Sequence, residues 1–297
     1  MRIPLKPNWQ GFPAPFRRLL PRAADPRDIG ARALSADAFE QAISRFKVDG
    51  TWKTTWSARH RLTDALLLER CAPDEATRIL DIGASCGSTS LDLIGQLGAR
   101  FARYYVTDLI MTLPCHRSGG AVYYYHPLER RCIMRASDLV VAYADVDAAL
   151  PGLGALATHL IAKAPPLDAA GVGIADMMRP DLRALAEKDP RVDLREYDCL
   201  SPWPLESVDV IKTANVLNSV SFTEDQIARA TANLARALRP RGHLLVTYNH
   251  GIERVSCFER DDDGRLRCVA SLNGGTDVER VLRDRHIDAT ADAVEVS

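Results

Sequence analysis

The segment RILDIGASCGSTSLDLIGQLG, residues 78–98, decides the fold. Its first part, residues 79–82, is a short apolar run that is typical of a buried β-strand. A turn of small residues, 83–87, follows the strand and leads into apolar residues at helical spacing, which stop at Gly98. The segment therefore predicts a strand, a tight Gly-rich turn and a helix in direct succession.

Four more strand-like runs follow this unit along the chain. They are YYVTDL ending at Asp108, VDLREYDC ending near Asp198, VDVIKTAN at 208–215 and HLLVTYN at 243–249. Helices are expected from Ser57 to about Cys71 and after the capping box at 223–226. Strands that alternate with helices predict a Rossmann-like α/β fold, with a mostly parallel sheet and helices on both faces. The turn at Asp263-Gly264 predicts an antiparallel edge hairpin.

The second and third predicted strands are separated by about eighty residues, far more than an ordinary connection needs. This long insertion is expected to form a cap at about 112–175, with a hairpin that carries Tyr123–Tyr125 and a helix at 153–162. The expected domains are an N-terminal arm at 1–56, a Rossmann-like domain with the inserted cap at 57–272, and a C-terminal tail at 273–297.

Composition excludes several classes of protein. The 297 residues carry a formal net charge of −1, so a large phosphate-binding surface and a nucleic-acid partner are not expected. The local exception is residues 1–32, with seven Arg or Lys against two Asp, which is most simply a solvated basic arm. The most apolar long stretch, 139–161, is interrupted by charges and Pro151, so no membrane span is expected.

The seven cysteines include no C-x-x-C pair, which argues against a zinc site, and no metal is expected. Their odd number in a long chain favours reduced thiols and a cytoplasmic location. The oligomeric state is left open.

The Gly-rich turn and two acidic residues have positions at which a nucleotide ligand could be bound. Asp81 precedes the Gly-rich turn, whose backbone N–H groups and helix start can approach a ligand closely. Asp108, at 108 − 81 = 27 residues further on, ends the second strand, where a carboxylate can accept from two ribose hydroxyls. Asp198 and Cys199 follow the third strand and can bind an adenine amino group and ring. Each feature alone is also compatible with an ordinary turn.

Taken in order and spacing, ILDIGASCGSTSLDL, VTDL, EYDCLSPWP, VDVIKTANVLNSV and LARALRPRGHLLVTYN resemble the class I S-adenosylmethionine-dependent methyltransferase family. The resemblance covers roughly residues 75–111 and 190–250, about a third of the chain. It implies S-adenosyl-L-methionine as methyl donor, with methionine-end contacts before the ribose and adenine contacts, and a side chain beside the sulfonium. The residues that it implies for these contacts are Asp81, Gly83, Ala84, Ser85, Cys86, Gly87, Asp108, Leu109, Asp198, Cys199 and Asn215.

Two departures from the family pattern are visible. Ser85-Cys86 stands where the family often has a glycine, which narrows the turn. The run GVGIADMM inside the insertion imitates the second strand and offers Asp176 as a rival ribose acid. Asp108 is preferred, because Asp176 lies 176 − 81 = 95 residues beyond Asp81, too far for one strand–helix–strand unit.

Methyl transfer is a displacement with a good leaving group, so the protein mainly supplies position and a dry pocket. A hydroxyl acceptor benefits from a general base, and His250 and His116 are the candidates for it. Paired prolines, typical of enzymes that methylate amino groups of DNA bases or glutamine, are missing after Asn215.

A small-molecule acceptor, as in specialised metabolism, is therefore the expected substrate. The alternatives are methylation of a macromolecule and a protein that binds S-adenosylmethionine without transferring its methyl group. A nicotinamide-dependent oxidoreductase is disfavoured, because the turn GASCG lacks the pattern G-x-G-x-x-G.

Overall fold

A computed structural model of the chain describes residues 4–8, 24–31, 33–144 and 151–285. The chain divides into two compact units. The first unit comprises residues 1–56 and 110–179, and the second comprises residues 57–109 and 180–297.

Fifteen strands and seven α-helices are described. The strands are β1 (Leu5–Pro7), β2 (Lys47–Val48), β3 (Thr51–Trp52), β4 (Arg78–Ile82), β5 (Arg103–Asp108), β6 (Thr112–Ser118), β7 (Ala121–Tyr125), β8 (Cys132–Ala136), β9 (Val140–Tyr143), β10 (Val172–Asp176), β11 (Val192–Glu196), β12 (Val208–Ala214), β13 (Leu238–His250), β14 (Ile252–Arg260) and β15 (Leu266–Leu272). The helices are α1 (Ala36–Ile43), α2 (Arg61–Arg70), α3 (Ser88–Leu97), α4 (Pro151–Ile161), α5 (Pro180–Lys188), α6 (Glu224–Ala237) and α7 (Asp277–Arg285).

The second unit is built on a seven-stranded sheet in the order β11-β5-β4-β12-β13-β14-β15. The first five strands in this order run parallel to one another, and β14 and β15 continue as an antiparallel hairpin beside β13. The predicted α/β fold, with a largely parallel sheet and an antiparallel hairpin at one edge, is confirmed. In chain order, the segment from β6 to β10 lies between the second and third strands of this sheet.

Alternation along the central strands separates the two faces of this sheet. On β4, Leu80 and Ile82 join a core with the apolar residues of α6 and α7, among them Ile227 and Val278. The side chain of Asp81, between them in sequence, contacts α3 instead. The capping box predicted at 223–226 starts α6, with reciprocal bonds between Thr223 and Gln226. Helices therefore cover both faces of the sheet.

The first unit is built on a six-stranded sheet in the order β1-β9-β8-β7-β6-β10, antiparallel throughout. The predicted hairpin is one part of this larger meander. Tyr124 packs edge-on against Phe46 with ring centroids 4.8 Å apart. On the opposite face, Tyr123 and Tyr125 cluster with Leu167 and Ala164. The aromatic run on β7 is thus the core of this sheet on both faces.

Three local differences from the sequence-based expectations are present. The helix expected from Ser57 begins only at Arg61, because Ala58 has a positive φ of 60° and its N–H donates to Asp92 at 2.5 Å. The strand predicted at 243–249 is longer than expected, because β13 (Leu238–His250) also includes the Arg-Pro-Arg-Gly stretch at 239–242. The predicted tail contains α7, whose Val278 and Val281 are buried in the core. Residues 286–297 of that tail lie outside the described residues.

Within the described part of the chain, every helix is too short or too polar to cross a membrane.

Candidate functional site

The Gly-rich turn joins β4 to α3 and is fastened to β5. The backbone N–H groups of Gly83 and Ala84 both donate to the Thr107 carbonyl, each at 2.9 Å. Helix α3 begins directly after Gly87, so its first N–H groups lie at the end of the same turn. The turn therefore presents backbone donors, with little side-chain bulk, at the carboxyl ends of β4 and β5.

Gly83 is a position in the turn that does not tolerate a side chain. Its φ is +76°, and a Cβ placed on it would lie 2.1 Å from Cγ2 of Val216. Gly83→Ala is therefore expected to lower the free energy of unfolding by about 1–3 kcal/mol, measured by urea denaturation.

A matched control for this substitution exists at Gly98. Its φ is +62°, but a Cβ there would meet no atom within 4 Å. Gly98→Ala thus carries backbone strain without a collision and is expected to cost less than Gly83→Ala. Adding Val216→Ala to Gly83→Ala is expected to recover part of the loss. Equal losses in the two glycine variants would contradict the collision.

Asp108 ends β5 beside the turn. The Ser85 N–H donates to Oδ2 of Asp108 at 2.7 Å. The Asp108 carbonyl accepts from the Tyr197 N–H at 3.0 Å, which ties this residue to the end of β11. Leu109, the next residue, has 48% of its surface exposed. The Gly-rich turn and the predicted ribose acid are therefore in direct contact.

The rival acid lies in the other unit. Asp176 ends β10, which pairs antiparallel with β6, and it lies opposite Thr112. Its Oδ1 accepts from the Met178 N–H at 2.9 Å, a local turn bond. Asp108, by contrast, is on the strand that pairs directly with β4. The sheet order therefore favours Asp108 as the acid that belongs with the Gly-rich turn.

Asp198 and Cys199 follow β11 at the same edge of the sheet. Oδ1 of Asp198, an exposed residue, accepts from the Leu200 N–H at 2.9 Å. Cys199 is buried, and its carbonyl accepts from Nδ2 of Asn233 at 3.3 Å. Burial, and then the neighbouring Asp198, raises the pKa of the Cys199 thiol to about 12. The thiol therefore stays protonated at neutral pH.

Asn215 follows β12 in the left-handed region, with a φ of +60°, which asparagine adopts more readily than most residues. Its N–H donates to the Thr247 carbonyl at 2.8 Å, and its Oδ1 accepts from the Asn249 N–H at 2.7 Å. Both partners are on β13. The Asn215 side chain therefore closes the gap between the ends of two neighbouring parallel strands.

Asp81 belongs to a buried polar cluster. It is 2% exposed, and its Oδ2 accepts from the hydroxyl groups of Ser90 and Tyr104 at 2.7 and 2.8 Å. Lys212 is its register partner on the neighbouring strand β12. The Asp81 carboxylate therefore accepts hydrogen bonds from groups of the protein itself, and its bond to Ser90 stabilises the first turn of α3.

Lys212 and Asp64 form the charged centre of this cluster. The Lys212 ammonium donates to Oδ1 of Asp64 at 2.8 Å, and the two side chains are 0% and 3% exposed. Burial lowers the pKa of Lys212, but the nearby carboxylates of Asp81 and Asp64 raise it more, so the amine stays protonated. Burial raises the pKa of Asp64 more than the contact with Lys212 lowers it.

The two histidines proposed as general bases lie in different units. His250 ends β13 as an exposed residue, and its ring stacks on Tyr248 with centroids 6.2 Å apart. His116 is on β6, and its Nε2 donates to the Ala170 carbonyl at 3.0 Å. That bond leaves Nδ1 as the acceptor nitrogen of His116, and this atom is buried without a hydrogen-bond partner.

Sequence reasoning missed three buried residues of the second unit. Lys212 is a charged residue inside the apolar run VDVIKTA, a pattern that indicates a buried partner of opposite charge. That partner, Asp64, lies 148 residues earlier, so the sequence does not identify it. His60 falls within the helix that the sequence predicts from Ser57, but the observed helix begins at Arg61, with His60 at its N-cap position. It is 4% exposed, and its Nδ1 is buried without a hydrogen-bond partner.

Comparison with known proteins gives a family for part of the chain. Residues 149–246 match the family described as methyltransferase domain. This match starts ahead of β10 and ends in β13, so it omits the Gly-rich turn. No curated protein sequence matches the chain.

Several solved structures are similar to the chain, and three of them serve as examples. They are the YcgJ protein from Bacillus subtilis (14% identity, 64% of this chain and 52% of that chain, TM-score 0.33), the N-methyltransferase NodS from Bradyrhizobium japonicum (16%, 65% and 67%, 0.31) and the amino pentose methyltransferase CalS10 from Micromonospora echinaspora with bound S-adenosylmethionine (15%, 70% and 66%, 0.31). The chain spans about half the length of the first of these. Their low TM-scores carry no argument about substrate.

The family match and the sequence resemblance overlap at residues 190–246, and both indicate a methyltransferase domain. Residues 149–246 are therefore similar to methyltransferase domains, for which the sequence resemblance implies S-adenosyl-L-methionine as methyl donor.

Proposed function

We propose that this protein transfers the methyl group of S-adenosylmethionine to a small-molecule acceptor, with the cofactor bound along the carboxyl edge of the seven-stranded sheet. The observation that carries the binding site is the bond from the Ser85 N–H to Asp108 at 2.7 Å. It joins the Gly-rich turn to the acid that ends the next strand, and this pair of elements suits a nucleoside with a charged tail.

The residues of this edge fit the cofactor in its expected order. In this proposal Asp198 and Cys199 contact the adenine, Asp108 with Leu109 the ribose, and the Gly83–Gly87 turn the methionine end, and the sheet order β11-β5-β4 supports this sequence of contacts. Ser85 supports a bound cofactor at this turn, because its Oγ is buried without a hydrogen-bond partner in the protein. A buried hydroxyl of this kind is costly unless a ligand satisfies it.

The chemistry of transfer needs little more than position. When bound, S-adenosylmethionine supplies a methyl group on a positively charged sulfur. In this proposal Asn215, bonded to Asn249 through its Oδ1, keeps the ends of β12 and β13 together beside that sulfur. His250, exposed at the end of β13, is the retained candidate for a base that accepts the proton of a hydroxyl acceptor.

Charge and motif favour a small acceptor. A net charge of −1 offers no broad surface for a phosphate backbone. The sequence Asn215-Val-Leu-Asn218 also lacks the paired prolines of enzymes that methylate DNA bases or glutamine. The predicted cap function of residues 112–175 stays a prediction, as does the cytoplasmic location.

Labelling with methyl-tritiated S-adenosylmethionine tests the proposal. Purified protein is incubated separately with small-molecule extracts, RNA and protein extracts, and label is expected only in the small-molecule fraction. Asp176→Ala should label as the wild type does, and Asp108→Ala should not. Incorporation into macromolecules alone, lost on deletion of residues 1–32, would refute the small acceptor. Cofactor binding without label in any fraction would refute transfer.

A further inference from the structure

His60 is a buried polar side chain without an assigned role. It stands at the N-cap position of α2, yet its side chain makes no capping bond. It is 4% exposed, and its Nδ1 is buried without a hydrogen-bond partner. Because a buried polar atom left unpaired costs free energy, such an atom in a native fold points to a ligand or another function.

The segment around His60 is fixed to the elements that carry the proposed cofactor site. The Ala58 N–H donates to Asp92 on α3 at 2.5 Å, and Nδ2 of Asn249 on β13 donates to the Arg59 carbonyl at 3.1 Å. Asp64, one turn further along α2, binds Lys212 on β12 at 2.8 Å. His60 is therefore held between α3 and the carboxyl-terminal halves of β12 and β13.

The order of strands indicates which part of the cofactor reaches this place. From β11 to β5 to β4, the proposed site takes adenine, then ribose, then the start of the amino-acid tail. The next strands in the sheet are β12 and β13. A cofactor that continues in the same direction therefore brings its α-amino-acid end toward the elements that hold His60.

The electrostatics near His60 suit a carboxylate. Burial, followed by the nearby cations Lys212 and Arg59, lowers the pKa of His60 to about 3. The imidazole is therefore neutral at physiological pH and can donate from Nδ1 without the desolvation cost of a buried charge. Of these two cations, Lys212 is already paired with Asp64 and lies near Asp81, so the Arg59 guanidinium is the cation that favours a negative group at this position.

We infer that Nδ1 of His60 donates a hydrogen bond to the carboxylate at the amino-acid end of bound S-adenosylmethionine. This inference rests on the proposed function, since it requires the cofactor to bind along this edge. It makes His60 a residue that distinguishes the complete cofactor from adenosine derivatives without the amino-acid tail.

Two ligands isolate this contact. S-adenosylhomocysteine carries the amino-acid end, whereas 5′-methylthioadenosine has the same adenosine and sulfur without it. In calorimetric titrations, His60→Ala is expected to weaken S-adenosylhomocysteine about tenfold or more and to leave 5′-methylthioadenosine within about twofold. His60→Asn, whose amide nitrogen can take the place of Nδ1, is expected to recover most of the loss, and His60→Gln much less.

His243→Ala is the matched control, because His243 lies at the start of the paired part of β13, opposite Glu259. It should change neither affinity, and thermal unfolding should show that each variant is folded. Equal losses for both ligands in the His60 variants, or no loss for either, would overturn the inference. If the wild type binds neither ligand, the proposed function itself is wrong. If it binds both and only the His60 expectation fails, the error lies in this contact alone.

Discussion

Replacing Lys212 by methionine is expected to lower the free energy of unfolding by about 3–5 kcal/mol, since it removes one partner of a buried ion pair. Methionine has a similar length and fills the space of the lysine chain. What it lacks is the ammonium group that donates to Asp64 at 2.8 Å and lies beside Asp81. Two carboxylates then stay buried without a cation. Urea denaturation monitored by circular dichroism measures the loss.

The loss in Lys212→Met should depend on pH in a defined direction. Burial already raises the pKa of Asp64, and removal of the cation raises it further. A carboxyl whose pKa is higher in the folded state binds protons preferentially there. Its contribution to stability is complete below the ordinary aspartate pKa of about 4 and is lost as pH rises through the folded-state value. Lys212→Met is therefore expected to be closer to the wild type at pH 5 than at pH 8.

Controls separate the buried charge from charge in general. Arg241→Met removes a guanidinium that is 67% exposed and paired with Glu259 and Asp262, and no measurable loss is expected. Adding Asp64→Asn to Lys212→Met should restore part of the stability, because one uncompensated carboxylate disappears. A Lys212→Met variant within about 1 kcal/mol of the wild type would show that the pair is solvated in solution.

Local sequence patterns predicted the part of the fold that depends on short-range order. The apolar run at 79–82 and the small residues of the turn specify a strand and a helix start without reference to the rest of the chain. The same holds for Thr223 with Gln226, whose capping box is local, and for the hairpin at Asp263-Gly264. Asp108 was also accessible, because it ends the next strand along the chain.

Long-range pairing set the limit of that prediction. Strand β1 pairs with β9, where Leu5 lies opposite Ala142, and no local pattern specifies a partner at such a distance. Helix α7 lies in the segment predicted as a tail, and its few buried apolar residues stand among charges, so no local pattern marks it. The pairing of Asp64 with Lys212 joins a helix to a strand 148 residues later. Its chemistry is visible in the sequence only as an isolated lysine in an apolar run.

The residues of the candidate site also divide into those that local sequence predicts and contacts that depend on long-range packing. The local sequence predicts where Asp81 lies on its strand. The hydrogen bonds that it accepts from Ser90 and Tyr104, however, depend on how α3 and β5 pack against it. The resemblance to the family therefore indicates where a cofactor lies more reliably than which atoms touch it. Asp108 is supported both by the family pattern in the sequence and by a contact in the structure, since its carboxylate is the ribose acid of the pattern and also accepts from the Ser85 N–H.

Asp108→Ala is expected to weaken the binding of S-adenosylhomocysteine by roughly 30- to 1,000-fold, equivalent to about 2–4 kcal/mol for two charge-assisted hydrogen bonds to ribose hydroxyls. The same factor should apply to 5′-methylthioadenosine, because both ligands carry the ribose. Loss of the bond to Ser85 adds to the effect by freeing the Gly-rich turn. Calorimetric titration of both ligands measures the two affinities.

Two further variants decide between the ribose contact and the turn. Asp108→Asn keeps an oxygen that can accept from the Ser85 N–H but replaces the other oxygen with a donor, so its loss should be smaller than that of Asp108→Ala and equal for both ligands. Asp176→Ala should leave both affinities unchanged, because Asp176 ends β10 in the sheet of the first unit. Unchanged binding in Asp108→Ala, together with a loss in Asp176→Ala, would transfer the ribose contact to the rival acid. The factors for Asp108 and His60 should then be compared directly: a ribose contact lowers the affinity of both ligands, whereas a contact to the amino-acid end lowers only that of S-adenosylhomocysteine.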